Sequence, residues 1–161
     1  MTGLEMTGAN IRPLTARDRE QVILLICTDL LDEPDPAAPG DETAAADLVA
    51  LAAGIAAHLA GDEATHFAVA VKDETVIGVV ATTASFLARP GVWEIGWQVV
   101  RGDVRRRGVG TALIRHAEAY ARHRGAEILL LSSGEPEHHQ RVGYRVVVAS
   151  GNETVMARVV G

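Results

Sequence analysis

The hydrophobic pattern of the chain changes period at Phe67, and that change limits what it can fold into. Before it, Leu48, Leu51, Ile55 and Leu59 recur at helical spacing; after it, apolar residues alternate or run together at strand spacing. FAVAVKD and TVIGVVATTASF flank Asp73-Glu74 and read as a β-hairpin. GVWEIGWQVV, bounded by Pro90-Gly91 and Gly102-Asp103, is a third run rich in aromatic and β-branched residues. Three antiparallel strands in succession argue against a doubly wound parallel sheet and for an α+β arrangement.

The flanking segments complete the order. Ile11–Leu14 reads as a short first strand, and Thr15 as the N-cap of a helix reaching about Leu31, with Asp18 in its first turn. EPDPAAPGD, Glu33–Asp41, has three prolines and a glycine and is a loop. Thr43–Ala60 is a second helix that Gly61 can cap in the left-handed conformation. A third helix runs from Gly108 to about Arg124. Val109, Ala112, Leu113, Ala117 and Tyr120 lie along one side of it, and Glu118 stands four residues before Arg122 on another. AEILLLSS is nearly continuous in apolar residues, the mark of a strand covered on both faces. The polar segment GEPEHHQRVGY, counted as a last short helix, leads to the strands YRVVVAS and ETVMARVV around Gly151-Asn152. The predicted order is β-α-α-β-β-β-α-β-α-β-β, of α/β (α+β) class.

With 161 residues the chain is the size of one domain, expected over 9–161 behind a loose tail at 1–8. The net charge of -6 argues against a general nucleic-acid binder, which needs a broad basic surface. Cys27 is the single cysteine, so neither an intrachain disulfide nor a cysteine-based metal cluster is possible and a reducing cytoplasm is expected. MTGLEMTGAN lacks the basic and apolar regions of a secretory signal. Ala44–Ala60, interrupted by Asp47 and His58, falls short of a membrane span in this reading, so no membrane partner is expected.

The stretch VRRRGVGTAL, Val104–Leu113, concentrates charge locally. A strand, a glycine turn and a helix start leave unpaired N–H groups and a positive dipole end at one point. Gly108 and Gly110 let a phosphate approach, and Arg105, Arg106 and Arg107 add charge at that mouth, so a pyrophosphate is the natural guest. A Walker loop is excluded because Thr111 follows Gly110 with no lysine between them. The dinucleotide fingerprint would need glycine or alanine where Leu113 stands.

The remaining spacing, Arg105-x-x-Gly108-x-Gly110, resembles the acetyl-CoA loop of the GNAT superfamily of N-acetyltransferases. The resemblance covers about Ile11 to Val160 in element order and is specific at WEIGWQVVRGDVRRRGVGTAL and HHQRVGYRVV. It implies a mixed, mostly antiparallel central sheet of six to seven strands flanked by about four helices. It also implies that the backbone N–H groups of Arg105, Arg106, Arg107, Gly108, Val109, Gly110 and Thr111 cradle the CoA pyrophosphate. The backbone of Gln98, Val99 and Val100 would then pair with the pantetheine arm where the third meander strand splays from AEILLLSS.

Strict alternation in WEIGWQVV would put Trp93, Ile95, Trp97 and Val99 on one face as core, and Glu94, Gly96, Gln98 and Val100 on the other. Gly96 leaves room for a ligand there. An alkylammonium of pKa about 10.4 cannot attack a thioester until it loses a proton, and Glu94 stands where the resemblance implies a base; a solvated strand glutamate is the alternative. In the family the last short helix reads Phe-Tyr-x-Arg/Lys-Leu-Gly-Phe, with the tyrosine as proton donor to the leaving thiolate. Arg141, Gly143 and Tyr144 match, but His139 replaces the tyrosine. His139 can protonate a thiolate, donate a neutral hydrogen bond, or be a bystander. A metal site from His138 and His139 is disfavoured, because adjacent helical residues point about 100° apart.

Asp29, Asp32, Glu33, Asp35, Asp41 and Glu42 form an acidic stretch that is either a solvated loop or a rim attracting a cationic amine. The leading expectation is an acetyl-CoA-dependent N-acetyltransferase acting directly on a primary amine of a small molecule or peptide, with homodimerisation possible. A non-catalytic acyl-CoA-binding regulatory module is the alternative, and a nucleic-acid binder is disfavoured by the net charge.

Overall fold

The structure, a computed structural model, describes residues 8–31, 42–85, 90–151 and 153–161. Its elements are β1 (Asn10–Pro13), a 3-10 turn (Ala16–Asp18), α1 (Arg19–Asp29), α2 (Glu42–Leu59), β2 (Thr65–Lys72), β3 (Thr75–Ala84), β4 (Val92–Val100), a second 3-10 turn (Gly102–Val104), α3 (Val109–His123), β5 (Ile128–Ser133), α4 (Pro136–Arg141), β6 (Arg145–Ser150) and β7 (Glu153–Val159). The order is the one the sequence predicts. The seven strands form one sheet in the order β1-β2-β3-β4-β5-β7-β6, and every pairing is antiparallel except β4 with β5.

Local chemistry sets the boundaries. The Thr15 N–H and hydroxyl both donate to the Asp18 carboxylate, at 2.7 and 3.0 Å, and Arg12 pairs with the same carboxylate at 2.6 Å. The arginine, above all, holds that carboxyl below the usual range. Asp73 and Glu74 both adopt positive φ, +49° and +64°, as a two-residue hairpin turn requires. Gly61 and Gly125 are left-handed where α2 and α3 stop.

The sheet is covered unequally. On one face α3 packs Val109, Leu113, Ile114 and Ala117 against Val80, Trp93, Ile95 and Leu129. On the other, α1 and α2 pack Val22, Ile26, Leu51 and Ile55 against Phe67, Val69, Val79 and Val99. Each fully buried Leu or Ile of this kind contributes roughly 1.5–3 kcal/mol. By length and composition α2 is long and apolar enough to cross a membrane, which corrects the sequence reading. Here Leu51 and Ile55 are buried against the sheet, and His58 clips the helix to it, with Nε2 on the Leu14 carbonyl at 2.9 Å and Nδ1 accepting the Phe67 N–H at 3.1 Å.

Two other expectations are corrected. Strand β5 is buried on one face only: Leu129, Leu131 and Ser133 are inside, while Ile128 and Ser132 are exposed and Leu130 is half-buried. Among the described residues the helices on that side pack chiefly on β2, β3 and β4, and the outer side chains of β5 border a cavity. Glu118, expected in a surface pair with Arg122, is fully buried. Arg158 arrives from β7 at 2.7 Å and Arg115 from the preceding turn at 2.9 Å, with Arg122 at 3.5 Å, so the carboxylate is compensated inside the fold. The expected tail at 1–8, apart from Gly8, and the proline-rich loop Glu33–Asp41 lie outside the described residues.

Candidate active site

Strand β4 is where the sheet opens. It pairs with β5 from Val92↔Ile128 to Ile95↔Leu131 and no further, although β4 continues to Val100 and β5 continues alongside β7 to Ser133↔Thr154. On its other edge β4 carries a bulge: Ala81 faces Gly96 and Val79 faces Val99, so Trp97 and Gln98 share the space opposite Val80. Trp97 sits at φ +47°, a conformation rare for a bulky residue and held here by the flanking pairs.

The bulge overturns the expected alternation. Trp93 and Ile95 face α3, but Val99 lies in the core under α1 and α2, with Trp97 packed beside it. Glu94 and Gly96 share that second face, since their partners Thr83 and Ala81 lie on it. Gln98 and Val100 turn to the α3 side, where Gln98 reaches the start of α3 and Val100 joins the core. Glu94 and Gln98, read from sequence as neighbours on one face, therefore stand on opposite faces of the opening.

On the Glu94 face lies a cavity of about 510 Å³ bordered by Thr83, Glu94, Trp97, Leu130, Ser132 and Val155 among others. Among the described residues no helix lines it, and the outer face of β5 is exposed on that side. Trp97, expected as core, lines it. Of the acidic stretch only Asp29 and Glu42 lie among the described residues.

On the opposite face α3 begins with Gly108 at φ +85°, left-handed as only glycine readily allows. The first intrahelical bond runs from Ala112 N–H to Gly108 O at 3.0 Å, so the N–H groups of Val109, Gly110 and Thr111 have no partner within the helix. No acidic side chain stands in this first turn to occupy them. Gly110 has a different reason from the one expected: a Cβ there would meet Val100 at 3.5 Å and Gln98 at 3.7 Å, so it faces the strand. The three arginines also differ from one another. Arg105 folds back, its Nε donating to the Val100 carbonyl at 3.0 Å. Arg106 is exposed at φ +64°, and Arg107 borders a smaller hollow of about 300 Å³ in which Lys72 and Arg101 are balanced by Asp73 and Asp103.

His139 closes the opening from α4. The Gly110 carbonyl can only accept, so Gln98 turns its Nε2 to it at 3.3 Å and offers Oε1 to His139 Nε2 at 3.1 Å. His139 Nδ1 lies 2.6 Å from Ser133 Oγ and 3.3 Å from the Glu135 carbonyl; the shorter contact, with the hydroxyl donating to Nδ1, goes with a hydrogen on Nε2. Ser133 in turn receives the Glu135 N–H at 2.9 Å. Burial, and secondarily His138, push the imidazole below its ordinary pKa against the opposing pull of Glu135, which favours the neutral ring, its Nε2 hydrogen shared with Gln98. Ser133 escaped the sequence reading, although a serine pair closing an apolar run was the available signal. Tyr144, matched to the family motif, is buried in the core near His139. Among the described residues no group of three or more His, Cys, Asp or Glu side chains could hold a metal ion.

A bare helix start on one face, a carboxylate in a cavity on the other and a parted strand pair between them are the geometry expected for an acyl-CoA site. Comparison with known proteins agrees: the model of the Acetyltransferase (GNAT) family matches residues 26–144. The chain belongs to the GNAT acetyltransferase family. A relative, the aminoalkylphosphonate N-acetyltransferase of Salmonella typhimurium, is 31% identical over 130 residues, 80% of this chain and 76% of that protein. Among solved structures, a GNAT-family protein from Desulfovibrio desulfuricans superposes with a TM-score of 0.75 at 16% identity, covering 95% of this chain and 99% of its own. The PaiA N-acetyltransferase of Thermoplasma acidophilum, solved with coenzyme A, gives 0.73 at 16% identity over 94% and 98%. These likenesses show the GNAT fold, with its single parallel pairing at β4–β5.

Proposed function

We propose that the protein is an acetyl-CoA-dependent N-acetyltransferase that acetylates a primary amine by direct transfer. The observation that carries this reading is the parting of β4 from β5, with Glu94 on one face of it and the bare α3 N-terminus and His139 on the other. The residues fit acetyl-CoA. The N–H groups of Gly108, Val109, Gly110 and Thr111, backed by the exposed charges of Arg106 and Arg107, would hold the pyrophosphate. The free edge of Gln98–Val100 would take the pantetheine arm, with Arg105 giving up the Val100 carbonyl. Acetyl-CoA supplies an activated acetyl thioester at the opening.

The residues of the chain do the rest. Glu94 accepts, through water, the proton of the acceptor ammonium, leaving a nitrogen lone pair free to attack. As the carbon–nitrogen bond forms and the carbon–sulfur bond breaks, the second amine proton ends on sulfur, the side on which His139 stands. A neutral His139 acts there by turning its Nε2 hydrogen from Gln98 to the developing thiolate charge, as a hydrogen-bond donor rather than an imidazolium acid. Direct transfer suits the layout, because amine and thioester approach one point from opposite faces.

Release of CoA thiol from acetyl-CoA, followed across amines of several classes, tests the reading. The expected result is amine-dependent release with a matching N-acetyl product. CoA binding without turnover on any amine would instead make the chain an acyl-CoA-binding module.

A further inference from the structure

His139 bridges the two strands where they part. The last parallel pair is Ile95↔Leu131, and beyond it no ladder joins Gln98 of β4 to Ser133 of β5. The imidazole reaches both, with Nε2 3.1 Å from Gln98 Oε1 and Nδ1 2.6 Å from Ser133 Oγ. Ser133 and His139 are both buried. Two backbone groups at the ends of this chain give its bonds one direction. The Gly110 carbonyl accepts from Gln98 Nε2, which leaves Gln98 an acceptor toward the ring. The Glu135 N–H donates to Ser133 Oγ, which uses a lone pair of the hydroxyl and leaves its hydrogen for Nδ1. One contact opposes this order: the Glu135 carbonyl, 3.3 Å from Nδ1, would accept a hydrogen placed there.

We infer that Ser133 is a positioning residue for acetyl transfer: its hydroxyl, donating to His139 Nδ1, holds the ring hydrogen on Nε2, the nitrogen directed across the opening to Gln98. The inference rests on the acetyltransferase reading and deepens it. The bond made by one imidazole nitrogen decides which nitrogen carries the hydrogen. With Nδ1 engaged by Ser133, His139 has only to exchange Gln98 Oε1 for the developing thiolate, a change of partner and not of tautomer. Without the hydroxyl, Nδ1 keeps the Glu135 carbonyl as its neighbour. The Nδ1–H tautomer then gains population, and in that form Nε2 turns a lone pair toward the sulfur. Ser133 acts through His139 rather than on acetyl-CoA. The same hydroxyl also receives the Glu135 N–H at the start of α4, so the test has to separate that bond from the hold on the ring.

Nitrogen-15 NMR of the full chain labelled at histidine reads the tautomer directly at pH 8, where the lowered pKa of the ring keeps it neutral; the His139 signals are those lost in His139→Ala. The expected result is a protonated Nε2 and a bare Nδ1 in the wild type, with a share of the Nδ1–H form in Ser133→Ala. A wild-type Nδ1–H tautomer would overturn the inference, even where Ser133→Ala does not fold, and so would a tautomer that Ser133→Ala leaves unchanged. Thiol release from acetyl-CoA with the fastest of a panel of primary amines reads the consequence. Ser133→Ala should lower kcat about tenfold and leave KM for acetyl-CoA within about twofold, and Ser133→Thr, which keeps the hydroxyl, should stay within about threefold of the wild-type kcat. In a His139→Ala background Ser133→Ala should cost less than about twofold further, because the residue it acts through is gone. A tenfold further loss in that background would assign Ser133 to holding α4 and overturn the inference while leaving the acetyltransferase reading intact. Absence of release with every amine would overturn that reading and the part of Ser133 in it, with the tautomer still read by NMR.

Discussion

From Val92 to Ile95, strand β4 is hydrogen-bonded along both edges, to β3 and to β5, whereas from Gly96 to Val100 it keeps β3 alone. In the paired half, residues alternate as a strand should, and Trp93 and Ile95 are core. In the parted half a bulge has shifted the faces, a tryptophan holds positive φ, Arg105 from the loop before α3 bonds the Val100 carbonyl, and His139 from α4 bonds the Gln98 side chain. Regular pairing builds the scaffold, and its interruption creates the candidate site: the second half gives up its ladder with β5 and leaves a backbone edge from Gly96 onward, directly after the last pair, Ile95↔Leu131.

Breaking the border between the halves should have the largest effect. Glu94 is the last residue of the paired half to point into the cavity, and Glu94→Gln should lower turnover by about a hundredfold. The loss should be deepest at low pH, where more of the amine is protonated, and KM for acetyl-CoA should stay close to that of the wild type. Unchanged turnover across pH would remove Glu94 from the chemistry.

The two glycines sharpen the comparison. Gly108→Ala forces a side chain into φ +85° at the start of α3, a strain of about 1–2 kcal/mol that turns the first-turn N–H groups away. Acetyl-CoA affinity measured by calorimetry should fall about tenfold, with kcat at saturation retained.

The paired half should govern stability against pH. His66 on β2 lies opposite Thr82, which pairs with Ile95. Its Nε2 is 3.2 Å from His116 Nε2, and its ring contacts His58 and stacks on Tyr120. Burial first, then His116, His58 and Arg124, lower its pKa to about 4. The unfolded chain therefore binds the proton more readily between pH 6.5 and 4, and this contribution is complete above about pH 6.5 and lost as pH falls toward 4. Urea unfolding at pH 7.5 and pH 5 should differ by about 2 kcal/mol from this residue, a difference that His66→Gln should remove.

The smallest effect belongs to Gly110→Ala. Its added Cβ would make only ordinary contacts with Val100 and Gln98, so acetyl-CoA affinity should change by less than about twofold.

These contrasts also explain what was legible beforehand. The element order, the hairpin at Asp73-Glu74 and the cap at Gly61 follow from local chemistry, which a sequence displays directly; Thr15, expected to cap the first α-helix, caps the 3-10 turn that leads into it. The face of Gln98 did not, because nothing in WEIGWQVV marks which residue will bulge; that depends on how many residues β3 sets opposite it. The burial of Glu118 depends on Arg158, forty residues away. The exposure of the outer face of β5 among the described residues depends on how far α1 and α2 extend over the sheet. Loop glycines and the Glu94 side chain were readable as candidate site residues, while the Ser133–His139–Gln98 chain joins three elements that meet only in the folded sheet.

Hydrogen exchange of the protein with and without acetyl-CoA tests the central contrast most directly. The account predicts slowed exchange at Gln98–Val100 and at Gly108–Thr111, with Val92–Ile95 unchanged. Protection confined to Val92–Ile95, or none at either segment under saturating acetyl-CoA, would contradict it.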